Sequence, residues 1–115
     1  MSAPIVFFDI AGPDSAALRG FYSTLFGWEI GDDGRFATVS VSPLEATIRQ
    51  DPAEKRLYIG VPDVAAKLAE IETAGGTVDV PRFEVPGLVI LGLFRDPAGN
   101  PLGLVEMDNG RPKIP

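Results

Sequence analysis

The chain has 115 residues, of which 45 % are apolar and 23 % charged, a balance that fits one folded domain and not a disordered segment. Its net charge of −6, with Lys and Arg scattered along the chain, disfavours nucleic acid and anionic membrane surfaces, since both need a basic field to meet phosphate. With no Cys and no His, disulfides, thiolate nucleophiles and Cys-ligated zinc are excluded, and the commonest general base and transition-metal ligand are lost.

In chain order, PIVFFDI at 4–10 is apolar and β-prone and is expected to form a strand. AGPDS follows as a turn in which Asp14 or Ser15 caps a helix by accepting free backbone N–H groups. Leu18, Phe21, Tyr22, Leu25 and Phe26 recur at helical spacing and define one continuous face. Gly27 ends that helix in the left-handed conformation glycine adopts at little cost. Strands are then expected at 28–31 (WEIG), 35–41 (RFATVSV) and 45–50 (EATIRQ), with turns at Asp33-Gly34 and Ser42-Pro43. DPAEK at 51–55 is read as a linker.

The order then repeats. RLYIGV at 56–61 is a strand, and Pro62-Asp63 opens a helix with Val64, Leu68 and Ile71 on one face, ended by Gly75-Gly76. TVDV at 77–80 is a strand, PRFEVPG at 81–87 a proline-containing loop, LVILGLF at 88–94 a buried strand. DPAGN at 96–100 is a turn, PLGLVE at 101–106 the last strand, and DNGRPKIP a loosely held tail. Two βαβββ modules are therefore expected, at 1–51 and 56–108, within one α+β domain. The matched positions are Phe7 with Tyr58, Gly27 with Gly75 and Gln50 with Glu106.

FYSTLFGWEI at 21–30, YIGVPDVAAKLAEIETAGGTVDVP at 58–81 and FRDPAGNPLGLVE at 94–106 resemble the modules and final hairpin of the vicinal oxygen chelate superfamily. That superfamily includes glyoxalase, bleomycin-resistance and extradiol dioxygenase proteins. The resemblance covers essentially the whole chain and implies two sheets curled into a cup, helices outside, often as a homodimer. It further implies ligand positions on the first and last strand of each module. Carried over, these land on Phe7, Tyr58, Gln50 and Glu106. Phenylalanine ligates nothing, and three oxygen donors of which two are weak make a poor transition-metal set, so no metal and no cofactor are expected.

Side chains alternate along a strand with period 2. Phe7 and Asp9 are accordingly assigned to the cup, with Val6, Phe8 and Ile10 against a helix; Tyr58 and Gly60 face the cup, with Leu57, Ile59 and Val61 behind them. Leu102, Leu104 and Glu106 share a face, and Arg49, opposite in parity to Gln50, is read as solvent-facing. Glu106 and Tyr58 are the candidate acid/base pair, against a plain strand-end carboxylate and a cup-wall aromatic. Asp9, unusual in a strand, is either a ligand-binding carboxylate or a rim residue. Phe83 on the 81–87 loop is the candidate lid, against a core residue on a rigid connector.

Three functions fit. The favoured one is a metal-free, cytoplasmic glyoxalase-like protein whose cup encloses a small, partly apolar molecule touching Phe7, Asp9, Gln50, Tyr58, Phe83 and Glu106. The alternatives are a superfamily enzyme of lyase, isomerase or dioxygenase type using Glu106 and Tyr58, and an interaction subunit. The chain has no apolar run long enough to span a bilayer and no signal-peptide pattern at its start.

Overall fold

The computed structural model describes residues 3–37 and 44–115. Within them lie eight strands and two helices: β1 Ile5–Gly12, α1 Ser15–Phe26, β2 Arg35–Ala37, β3 Glu45–Gln50, β4 Glu54–Val61, α2 Val64–Thr73, β5 Thr77–Val85, β6 Val89–Arg95, β7 Pro101–Asp108 and β8 Arg111–Pro112. Strand pairing is mixed, parallel and antiparallel, as an α+β arrangement requires. The chain divides into two compact units, residues 7–56 and residues 57–115 together with 1–6.

In the 7–56 unit, β3 runs parallel to β1 and antiparallel to β2. Asp14 caps α1 by accepting from the N–H of Ala17 at 3.0 Å, a bond worth about 1 kcal/mol. Gly27 closes the helix at φ 69°, its N–H donating to the carbonyl of Ser23. Leu18 and Tyr22 pack with Phe8, Ile10, Trp28 and Ile30 around buried Phe36, Ala46 and Ile48. Trp28 stacks on Tyr22 and on Phe36, with ring centroids 5.1 Å apart in each pair. Aromatic pairs of this kind add about 1 kcal/mol beyond their area. Phe21 and Leu25, expected on the same inward face, instead stand 53 % and 60 % exposed.

Residues 28–31 form no strand. Trp28 and Ile30 do both turn inward, which is the alternation that suggested one, but among the described residues no strand ladder includes them; Gly31 donates to the carbonyl of Arg35 in the turn that follows. Of the expected strand at 35–41, residues 35–37 are β2, and the remainder, with the Ser42-Pro43 turn, lies outside the described residues.

In the other unit the strand order is β4-β7-β6-β5, with β8 on the outer end of β7. The β4–β7 pair is parallel and the rest antiparallel. Asp63 caps α2 through the N–H of Ala66 at 2.9 Å. The core joins Val64 and Leu68 of α2 to Val61, Phe94 and Leu104, with Ile59, Ile71, Val78 and Leu102 at its edge. Gly92 admits the helix: a Cβ there would fall 2.7 Å from Val64 Cγ1 and 2.9 Å from Leu68 Cδ1.

Three expectations are corrected in this region. The expected linker at 51–55 gives way at Glu54, where β4 already begins. The expected 81–87 loop is strand as far as Val85; β5 accommodates Pro81 within the register shift between Val80 and Phe83, where the missing N–H breaks no regular ladder. Phe83 is therefore a strand residue paired with Leu91 and not a lid. The tail is held, since Met107 and Asp108 pair with Pro112 and Arg111, and the N–H of Lys113 donates to the carbonyl of Glu106 at 2.8 Å.

Candidate functional site

Strand register decides which side chains share a face, because residues paired across two strands point the same way. In the 7–56 unit Asp9 pairs with Thr47 and Ala11 with Arg49, while Ile10 pairs with Ile48 and Gly12 with Gln50. Phe8, Ile10, Ala46 and Ile48 form the face under α1. Gln50 belongs to that helix-covered face, and its Oε1 accepts from the hydroxyl of Ser15 at 3.1 Å. Phe7, Asp9, Thr47 and Arg49 lie on the opposite, helix-free face.

Arg49 is thus not a solvent-facing side chain. Its Nε donates to Asp9 Oδ2 at 2.9 Å and its Nη1 to Asp51 Oδ2 at 2.8 Å, and its Nη2 donates to Glu54. Glu54 also takes Arg56 Nη2 at 3.4 Å. Asp9 is 3 % exposed and Arg56 6 %. Burial works against the Arg49 charge, but its hydrogen bonds to Asp9 and Glu54 outweigh that, and its pKa rises. Burial likewise opposes ionisation of Glu54, yet the bond from Arg49 carries its pKa below the usual carboxylate value.

In the 57–115 unit Tyr58 pairs with Gly103 and Gly60 with Val105, while Ile59 pairs with Leu104 and Val61 with Glu106. Gly103 pairs with Leu93, Val105 with Leu91, and Leu91 with Phe83. One helix-free face therefore carries Tyr58, Leu91, Leu93, Val105 and Phe83. Gly103 is obligatory beneath the tyrosine, since a Cβ there would fall 2.4 Å from its ring. Beside Gly60 opens a depression of about 250 Å³ whose wall includes Pro4, Pro62, Met107 and Gly110.

Glu106 lies on the other face, under α2, with Leu104 and Val61. The expectation that Glu106 and Tyr58 share an inner face is overturned: the β4–β7 register turns them to opposite sides of the sheet. Glu106 Oε1 accepts from the N–H of Val64 at 3.1 Å and from Arg82 Nε at 3.0 Å, and Oε2 from Arg82 Nη2 at 2.8 Å. The Arg82 bonds, with help from the Val64 N–H and against burial, hold its pKa down at about 2.

Gln50 and Glu106 remain equivalent (106 − 50 = 56), since each reaches the first residue of its unit's helix. The helix caps give an offset of 49 (63 − 14), which pairs Tyr58 with Asp9 and Arg56 with Phe7. The match of Phe7 to Tyr58 read from the sequence is therefore two residues out. Asp51, Glu54 and Arg56 were missed, and the density of opposite charges in DPAEKR was the signal that marked them.

These positions do not make a metal site. Phe7 offers no donor, Gln50 and Glu106 are turned under the helices, and Glu106 is already bound through both oxygens. Among the described residues no cluster of three metal-ligating side chains occurs.

A family model for a glyoxalase-like domain matches residues 5–105. The anthracycline biosynthesis protein DnrV of Streptomyces peucetius is 30 % identical over 117 residues, covering 80 % of this chain and 42 % of its own. The putative glyoxylase CFP32 of Mycobacterium tuberculosis is 27 % identical over 111 residues, covering 84 % of this chain and 42 % of its own. The chain thus spans less than half the length of these relatives. A methylmalonyl-CoA epimerase solved with methylmalonyl-CoA and NH4+ superposes with a TM-score of 0.66 at 16 % identity, over 98 % of this chain and all of that one. The Mycobacterium tuberculosis methylmalonyl-CoA epimerase gives a TM-score of 0.61 at 14 % identity, over 88 % of this chain and 85 % of the other. With its two capped-helix units and a match over nearly all its length, the chain belongs to the glyoxalase-like domain family of the vicinal oxygen chelate superfamily.

Proposed function

We propose that the protein binds a small, partly apolar organic molecule without a metal, on the helix-free face that carries Tyr58. The observation that carries this reading is the apolar helix-free face on which half-buried Leu91, Leu93 and Phe83 lie beside the buried Tyr58 ring over Gly103, with a separate depression beside Gly60 in the same unit. Tyrosine suits such a wall because it offers a large apolar ring and one polar handle. Phe7 and Asp9, on the helix-free face of their own unit, are assigned to binding on the same ground.

Support also comes from the epimerase whose solved complex holds methylmalonyl-CoA, a ligand with a short acyl part. A cytoplasmic location belongs to the same reading, on the ground of a cysteine-free chain; among the described residues no helix is long and apolar enough to cross a membrane. Acid/base catalysis by Tyr58 with Glu106 finds no support, because the two side chains point to opposite sides of the sheet.

Native mass spectrometry of freshly purified protein, with elemental analysis of the same sample, tests the reading. It expects an organic mass that dissociates on activation and no stoichiometric Zn, Mn, Fe or Ni. About one such metal per chain sinks it.

A further inference from the structure

Two guanidiniums converge on one carboxylate at the start of β4. Glu54 and Arg56 lie two residues apart on that strand and so share a face, and Arg49 reaches Glu54 from β3. A single oxygen, Glu54 Oε2, accepts from Arg49 Nη2 and from both Nε and Nη2 of Arg56. The two Arg56 bonds are each 3.4 Å long, against about 2.7–2.9 Å for a well-made charge-assisted bond.

Arg82 shows what the same edge of a guanidinium accommodates. It presents Nε and Nη2 to Glu106 and takes one oxygen on each, at 3.0 and 2.8 Å, as a fork shaped for two oxygens should. At Arg56 one oxygen instead sits astride the edge, equally far from both nitrogens, because the Glu54 carboxylate also answers to Arg49. Arg56 is buried, whereas Glu54 is half-buried and follows the exposed residues 51–53. The arginine edge is therefore fixed inside, and the carboxylate on it stands at the rim.

From these observations we infer that Arg49 and Arg56 form a binding site for the carboxylate of a small organic acid, in which Glu54 stands as a tethered substitute. The incoming carboxylate lies flat on Arg56, one oxygen on Nε and the other on Nη2, and Glu54 turns out to water. The charges favour a carboxylate over a phosphate. Asp9 and Asp51 already take Nε and Nη1 of Arg49, so with Glu54 out the two arginines and these two aspartates balance. A carboxylate restores the single negative charge that Glu54 supplies. A phosphate dianion adds one more beside Asp9 and Asp51, in a chain of net charge −6. Glu54, being tethered, competes at an effective concentration on the order of millimolar, so removing it uncovers the site. Asp9, Arg49, Asp51, Glu54 and Arg56 all lie within the 7–56 unit. This inference does not rest on the ligand reading of the Tyr58 face, and either can fail alone.

Titration with sodium acetate to 500 mM at pH 7, at ionic strength held constant with sodium chloride, provides the test. The readout is the arginine Nε–H signals in nuclear magnetic resonance spectra of isotope-labelled wild type, Glu54→Ala and Glu54→Gln, each checked for folding. Acetate is expected to shift the Arg56 signal in all three, saturating at concentrations at least tenfold lower in Glu54→Ala than in wild type. Glu54→Gln keeps the shape without the charge; it should bind at least threefold more tightly than wild type and carries the test if the alanine variant does not fold. Arg56→Lys, a point charge without the fork, should weaken acetate binding at least tenfold in either background. Inorganic phosphate should bind the opened site more weakly than acetate. The proposal is overturned if acetate leaves the wild-type Arg56 signal unmoved, or if neither Glu54 variant binds it more tightly. Binding that survives Arg56→Lys, or a preference for phosphate, overturns it as well.

Discussion

Arg82 grips Glu106 as a fork, its Nε 3.0 Å from one carboxylate oxygen and its Nη2 2.8 Å from the other, while the Val64 N–H completes the site at the first turn of α2. Glu106 is 4 % exposed, so this carboxylate ties β5 and the start of α2 to β7. Its folded pKa of about 2 lies below the ordinary, unfolded value of about 4.3. The stability it contributes is therefore fully present above about pH 4.3 and is lost as pH falls through about 2. Glu106→Gln is expected to cost about 2 kcal/mol at pH 7. Urea titrations across pH 2–7 check both points: the variant should show a shallower acid loss than the wild type.

Gly103 is expected to refuse even alanine. A Cβ at this position falls 2.4 and 2.5 Å from the Tyr58 ring carbons, with Leu93 Cδ2 at 3.3 Å behind it, so ring and strand must move apart. Gly103→Ala should destabilise by about 1–3 kcal/mol, roughly a 5–15 °C fall in melting temperature for a domain of this size. In the background of Tyr58→Ala, which removes the obstructing ring, the same substitution should cost less than half as much.

The Asp9–Arg49 pair is expected to be coupled in stability. Removing the guanidinium strips a hydrogen-bonding partner from a carboxylate only 3 % exposed, a change that typically costs about 3 kcal/mol. Denaturation of Arg49→Met, Asp9→Asn and the double variant should give a double-mutant cycle with a coupling of at least 1 kcal/mol. A coupling near zero would mean that Asp9 does not depend on Arg49.

Residues 28–30 should exchange their amides quickly although Trp28 and Ile30 belong to the core. Among the described residues no strand pairing reaches this backbone, whereas β3 is held by a partner on each side. Hydrogen exchange is expected to show residues 28–30 labelled at least tenfold faster than residues 46–49. Equal protection would mean that a ladder forms there after all.

The parts legible in the sequence were those that depend on near neighbours. Asp14, Asp63 and Gly27 announced both helix starts and one helix end because capping is a contact across three or four residues. Leu18 with Tyr22, and Val64 with Leu68, were visible as helical spacing. What alternation does not tell is which of two faces meets the helix when both are apolar. In β7, Leu102, Leu104 and Glu106 alternate with Gly103, Val105 and Met107, and only pairing with β4 assigns the first set to α2. In β3 the two faces differ in polarity, but only pairing with β1 puts the polar set of Thr47 and Arg49 beside Asp9 on the helix-free face and Gln50 with Ile48 under α1. Pro81 concealed the length of β5, since a bulge tolerating proline is a property of the register with β6.

The central claim is that a small molecule is held by the face carrying Tyr58 and not by Glu106. Native mass spectrometry of wild type, Tyr58→Ala and Glu106→Gln, purified side by side at pH 7 and checked for folding, tests it most directly. The account predicts the same organic mass on the wild type and on Glu106→Gln, with occupancy reduced at least tenfold in Tyr58→Ala. Retention by Tyr58→Ala together with loss from Glu106→Gln would contradict it.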